Sequence, residues 1–175
     1  MQLALTFLGQ QQPNLVIRLL EIVVDSSCTV RECHSDVMES ISAGHIMATG
    51  DWHEIARLEN TLNQLESEPG LQINLSRAED WKPSQSYLPY TIEVYAADRN
   101  GILQELTRFL QTQNILVTQI KTCRNPASKV MVELFCINLS IAIPANVHII
   151  SLREEFLDFC DNANIDAILE PVKIY

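Results

Sequence analysis

Asp98-Arg99-Asn100-Gly101-Ile102-Leu103 follows the alternating run Tyr90-Thr91-Ile92-Glu93-Val94-Tyr95 and opens an apolar-periodic stretch. The change of period from two to about 3.6 predicts a strand that turns directly into a helix. At such a turn the first helical N–H groups lack intrahelical partners and carry the positive end of the helix dipole, so they can receive a carboxylate. The plainer reading is a helix start capped by Asp98 or Asn100, with Gly101 for the bend or a close backbone approach.

The turn has a counterpart. With a shift of 87 positions, Leu3, Leu5 and Phe7 fall on Tyr90, Ile92 and Val94, and Asn14 falls on Gly101. Leu15, Val16, Leu19, Ile22 and Val23 then fall on Ile102, Leu103, Leu106, Phe109 and Leu110, a helical stripe in both copies. Cys28, Val30 and Cys33 fall on Ile115, Val117 and Ile120 as a second strand. Register returns at an offset of 94, where Ile55, Leu58, Leu62 and Leu65 fall on Ile149, Leu152, Phe156 and Phe159. Leu71, Ile73 and Leu75, matched by Ile165, Ala167 and Leu169, close each copy.

Each half therefore reads strand, helix, strand, strand, helix, strand. That order predicts an α+β fold of two ferredoxin-like βαββαβ domains, each a four-stranded antiparallel sheet with two helices on one face. The third strands are expected at Ser42 to Gly50 and Val130 to Ile143, the second long enough for a bulge or extended hairpin. Expected boundaries are residues 1–78 for the first domain, 79–88 for a linker and 89–175 for the second. The linker is polar and proline-bracketed, with Trp81 and Tyr87 suited to lie against a domain surface.

With 175 residues, 47% of them hydrophobic, the chain can bury two cores of roughly 80 residues each, and tandem pairing or a homodimer would add stability. A net charge of −10 argues against direct nucleic-acid binding, which depends on cations that neutralise phosphates. The five cysteines, Cys28, Cys33, Cys123, Cys136 and Cys160, with no run of 18 apolar residues and no signal peptide, predict reduced thiols in a cytoplasmic protein with no membrane partner.

Catalytic and metal chemistry find little support. His34, His45, His53 and His148 are spread along the chain, and the adjacent Cys33 and His34 would point to opposite faces of a strand, so neither a metal nor another cofactor is expected. No nucleophile turn or glycine-rich phosphate loop is present. Arg99 occupies the loop position that a small acyl phosphate hydrolase would use, without the accompanying phosphate-cradling residues. On the last helix, Glu154, Glu155, Asp158 and Asp161 face away from Leu152, Phe156 and Phe159, as a solvated face or a docking patch for a basic partner.

The turn Asp98-Arg99-Asn100-Gly101-Ile102 resembles the Asp-Arg-Pro-Gly-(Ile/Leu) signature of ACT domains, small amino-acid-sensing βαββαβ modules, with Asn100 where proline is usual. In the first copy, Gly9-Gln10-Gln11-Gln12-Pro13-Asn14-Leu15 keeps the glycine, proline and apolar residue but has Gln11 and Gln12 for Asp-Arg. The resemblance implies ligand contacts at Asp98, Arg99, Asn100, Gly101 and Ile102, and at Gln11, Gln12, Asn14 and Leu15. A ligand carboxylate would meet the amides of Asn100, Gly101 and Ile102, with Asp98 available to an ammonium group. The stretches Leu152–Cys160 and Tyr90–Tyr95 are similar to regulators built of two ACT copies alone. Such regulators are thought to bind a DNA-binding transcriptional activator under the control of a small amino acid such as glycine, and to have no enzymatic activity. Alternatives are an interaction-only tandem module, with Glu154, Glu155 and Asp158 as the docking surface, and an RNA-binding protein of the same fold order, which the charge opposes.

Overall fold

Two rounds of strand, helix, strand, strand, helix, strand run along the chain. The first comprises β1 (Gln2–Gln10), α1 (Leu15–Asp25), β2 (Thr29–Met38), β3 (Ile41–Thr49), α2 (Trp52–Leu65) and β4 (Leu71–Ala78). The second comprises β5 (Tyr87–Ala97), α3 (Ile102–Thr112), β6 (Leu116–Asn125), β7 (Leu134–Pro144), α4 (Ile149–Ala163) and β8 (Asp166–Pro171). The computed structural model describes residues 1–10, 12, 14–65, 68–78, 86–97, 99–125 and 134–172. Its backbone divides into two compact units, Met1–Lys82 and Pro83–Tyr175. Each unit holds one antiparallel sheet, ordered β2-β3-β1-β4 in the first and β6-β7-β5-β8 in the second.

Alternation decides which face of each sheet is covered. In β1, Leu3, Leu5 and Phe7 are buried, and they share one core with Leu15, Leu19 and Val23 of α1 and Ile55, Leu58 and Leu62 of α2. The second core repeats this with Ile92, Val94 and Ala96 of β5, Ile102, Leu106 and Leu110 of α3, and Leu152, Phe156 and Cys160 of α4. The spacings of three and four put each helical trio on one stripe, and each fully buried leucine contributes about 1.5–3 kcal/mol. Helix α2 begins with a reciprocal cap. Asp51 N–H donates to Glu54 Oε2 at 2.7 Å, and Glu54 N–H donates to Asp51 Oδ1 at 2.8 Å.

The 87-residue offset is visible in the backbone: α1 and α3 both span 11 residues, starting at Leu15 and Ile102. Ser27 and Asn114, equivalent by that offset, both take left-handed φ, +64° and +55°, just past the helix ends. β2 and β6 each carry a register shift at matching places, between Val30 and Glu32 and between Val117 and Gln119.

Several expectations shift. The second copy's third strand, expected to hold a bulge or an extended hairpin, pairs as β7 with β5 without interruption over its described residues, Leu134 to Pro144, and the register shift of that module lies in β6. Val130, the expected start of that strand, lies outside the described residues, as does Trp81 of the linker. Tyr87 and Leu88, assigned to the linker, belong to β5, because Pro144 and Ile143 at the end of β7 pair with them. Gly44, a weak residue for a strand, sits in β3 between Phe7 of β1 and Ser35 of β2. A β-carbon there would stand 2.8 Å from Phe7 Cζ and 2.1 Å from the His34 carbonyl oxygen. Glycine lets the aromatic ring and the neighbouring strand close over it.

Candidate functional site

The end of β5 delivers the chain to α3 through Arg99, Asn100 and Gly101. Gly101 is the N-cap residue, with φ +96° and ψ −11°, a conformation that L side chains rarely adopt. The reason for the glycine is therefore backbone shape rather than close approach: a β-carbon at 101 would meet nothing nearer than Glu105 Oε1 at 3.7 Å. Among the described residues no side chain caps the helix start, and the Glu105 N–H donates to the Gly101 carbonyl at 2.9 Å. The N–H groups of the first turn have no intrahelical carbonyl to donate to.

That turn borders an open depression of about 600 Å3. Its lining combines the polar Arg99, Asn100, Gln104 and Thr107 with Gly101 and the apolar Ile102, Leu103, Ile120 and Phe135. Arg99 is already engaged. Its Nη1 and Nη2 donate to Glu105 Oε1 and Oε2 at 2.9 and 2.7 Å, and Nη2 also donates to the Ala163 carbonyl at 3.2 Å. The guanidinium holds the Glu105 carboxyl below the usual glutamate range. A carboxylate ligand at this turn must therefore compete with Glu105 for Arg99. Asp98, assigned to the ammonium end of a ligand, lies outside the described residues.

The equivalent turn of the first unit is built differently. Asn14 is the N-cap of α1 with φ −103° and ψ 16°, so the left-handed backbone that asparagine tolerates is not used. The Gln12 carbonyl accepts from the Leu15 N–H at 3.1 Å and from the buried Ser42 hydroxyl at 2.9 Å, and Leu15 is a core residue. Gly9 supplies the close approach here: a β-carbon would stand 2.4 Å from Leu15 Cδ2. Gln11 and Pro13 lie outside the described residues. The structure thus gathers Arg99, Asn100, Gly101 and Ile102 around one depression, and at the first unit's turn it ties the Gln12 carbonyl to Leu15 and Ser42.

Glu154, Glu155 and Asp158 are exposed on α4, and Glu155 accepts a hydrogen bond from Gln113 Nε2 beyond the end of α3. A grouping that the linear spacing conceals lies on the first sheet. Cys33 pairs with Ile46 and turns inward, whereas His34 pairs with His45 on the face away from the helices, beside Glu32. The signal for it is the tight turn at Glu39–Ser40, from which counting back and forward along the hairpin puts His34 opposite His45.

Residues 1–76 match the family model of the ACT domain. The chain is 18% identical over 170 residues to the glycine cleavage system transcriptional repressor of Escherichia coli, covering 97% of this chain and 90% of that protein. A crystal structure provisionally assigned as a glycine cleavage system transcriptional repressor superposes with a TM-score of 0.71 at 18% identity, covering 99% of this chain and 98% of that one. A Galdieria sulphuraria protein of unknown function superposes with a TM-score of 0.73 at 19% identity over 98% of both chains. The chain is thus a tandem of two ferredoxin-like βαββαβ modules, the first of which matches the ACT-domain family model over residues 1–76.

Proposed function

We propose that this chain is a non-enzymatic regulator that binds a small amino acid at the β5–α3 turn and acts by docking to a DNA-binding transcriptional activator. The observation that carries the ligand half is the start of α3, which no side chain among the described residues caps. Gly101 takes a left-handed conformation at the start of α3, and residues of that first turn line a depression that has both polar and apolar residues around it. An amino acid carboxylate suits those amides and the helix dipole, and the shallow site suits a small side chain such as glycine's. The regulatory half draws on the likeness to the Escherichia coli repressor. Binding would alter docking only through a difference in ligand affinity between the docked and free states.

Calorimetry with glycine, serine and alanine at millimolar concentration tests the ligand. Glu105→Gln, which frees Arg99, is expected to tighten a carboxylate ligand, and Gly101→Val to abolish its heat. No heat from any of the three with the native chain would remove the sensing claim. Pull-down of the candidate activator with and without the ligand then tests docking.

The first unit's turn, where the Gln12 carbonyl already accepts from Leu15 and Ser42, favours a second reading, in which that module serves interaction alone and the acidic face of α4 meets a basic partner. Charge reversal at Glu154, Glu155 and Asp158 should then abolish docking; undiminished docking would refute that use of the helix.

A further inference from the structure

The helix-free face of the first sheet carries a grouping of donors unconnected with the β5–α3 turn. Glu32 and His34 lie two apart on β2 and so share a face, and His45 lies directly across from His34 on β3. His34 Nε2 is 3.0 Å from Glu32 Oε1, and His45 Nε2 is 3.7 Å from the same oxygen. The imidazole centroids are 4.8 Å apart, and the three donor atoms all lie within 4.8 Å of one another. A tetrahedral zinc ion with bonds of 2.0–2.1 Å needs donors about 3.3 Å apart. The two measured separations bracket that value, and a modest rotation of the His45 ring would bring the third donor in. We infer that Glu32, His34 and His45 form a binding site for a late first-row divalent metal ion, zinc being the reference case, on the helix-free face of the first module.

Three features support a site over a chance ion pair. Imidazole with carboxylate is a donor set suited to zinc, nickel and copper rather than to magnesium or calcium. The donors stand on neighbouring strands of one sheet, so little chain entropy is lost on chelation. The second module provides an internal control. At the equivalent register it has Gln119, Lys121 and Asn138, with Lys121 paired to Asn138 as His34 is to His45. An ammonium group in the middle position repels a cation, so the same architecture carries the ligand set only once. The three side chains are 43–56% exposed, which leaves the remaining coordination positions open to water or to a donor from another molecule.

The test uses the full chain without an affinity tag, titrated with Zn2+ and separately with Ni2+ in a calorimeter. One equivalent is expected to bind. His34→Gln and His45→Gln should each weaken the affinity at least about tenfold, as even outer-sphere losses do at metal sites. Cys123→Ser/Cys136→Ser, which removes the paired thiols of the other module, should leave it unchanged. X-ray absorption of the zinc form should report nitrogen and oxygen neighbours without sulfur, and zinc should raise the Tm of the native chain but not of His34→Gln. Circular dichroism verifies that each variant folds. No binding by the native chain, equal binding by the histidine variants, or sulfur in the metal's first sphere would overturn the site.

Discussion

Gly101 and Asn14 occupy the same position, the N-cap of the first helix of each module, yet their backbones differ in hand, with φ +96° and −103°. Gly101→Ala forces a β-carbon into the left-handed region and is expected to cost about 1–2 kcal/mol. Asn14→Gly removes a side chain that makes no capping bond and should cost only a few tenths of a kcal/mol. Urea midpoints of the two variants measure the asymmetry; equal losses would mean that the turns are interchangeable.

Gly44→Ala sets a methyl group against the His34 carbonyl oxygen and the Phe7 ring, neither of which can retreat from the sheet and core. Overpacking of this kind costs about 1–3 kcal/mol or more. Thermal unfolding should show the loss, and Phe7→Leu, which shortens the ring's reach, should recover part of it in the double variant.

Acid should weaken the fold through four carboxylates. The Arg77, Arg18 and Arg99 guanidiniums hold Glu59, Glu68 and Glu105 below the usual 4.5, and the Glu54 amide holds Asp51 below 3.8. A carboxyl depressed in the folded state stabilises above its unfolded value, and that contribution is lost as pH falls through the folded value. The urea midpoint should therefore decline below about pH 4.5. The decline should be shallow, because each of these ion pairs keeps one or both partners exposed to screening by water. Replacing Arg18, Arg77 and Arg99 by Gln should flatten it further; an unchanged slope would assign the acid sensitivity to other groups.

The thiols should separate by burial. Burial, followed by the charges of Asp161 and Asp166, pushes Cys160 up to about 11, and burial also raises Cys28 and Cys136. At about pH 8 a thiol with such a value is almost wholly protonated and unreactive. Iodoacetamide followed by peptide mass spectrometry should find the exposed Cys123 modified first, with Cys160 protected until the chain unfolds. Early labelling of Cys160 would mean that α4 opens readily.

How much is legible in the sequence depends on the range of the interaction involved. The helices and their buried stripes are readable, because Leu15-Leu19-Val23 and Ile102-Leu106-Leu110 repeat a local period. The bulges are present in plain spacing: Val30 to Cys33 and Val117 to Ile120 are three apart where a regular strand would need two. They pass for alternation because no single strand reveals its partner's register. The reach of β5 back to Tyr87 depends on Pro144, more than fifty residues away. The open turn at Gly101 is visible as a residue type, but not that Glu105 already holds Arg99. The Glu32, His34 and His45 grouping requires the hairpin to be paired first.

The twin irregularities at Arg31 and Thr118 fall on β2 and β6, the strands at one margin of each sheet. An unbroken margin offers a row of unpaired amides and carbonyls on which a second chain can zip. A misplaced residue throws that row out of step, so a newcomer could pair on one side of the bulge but not across it. Both modules thus carry, at the same point of the repeat, a guard against stacking into fibres at high local concentration.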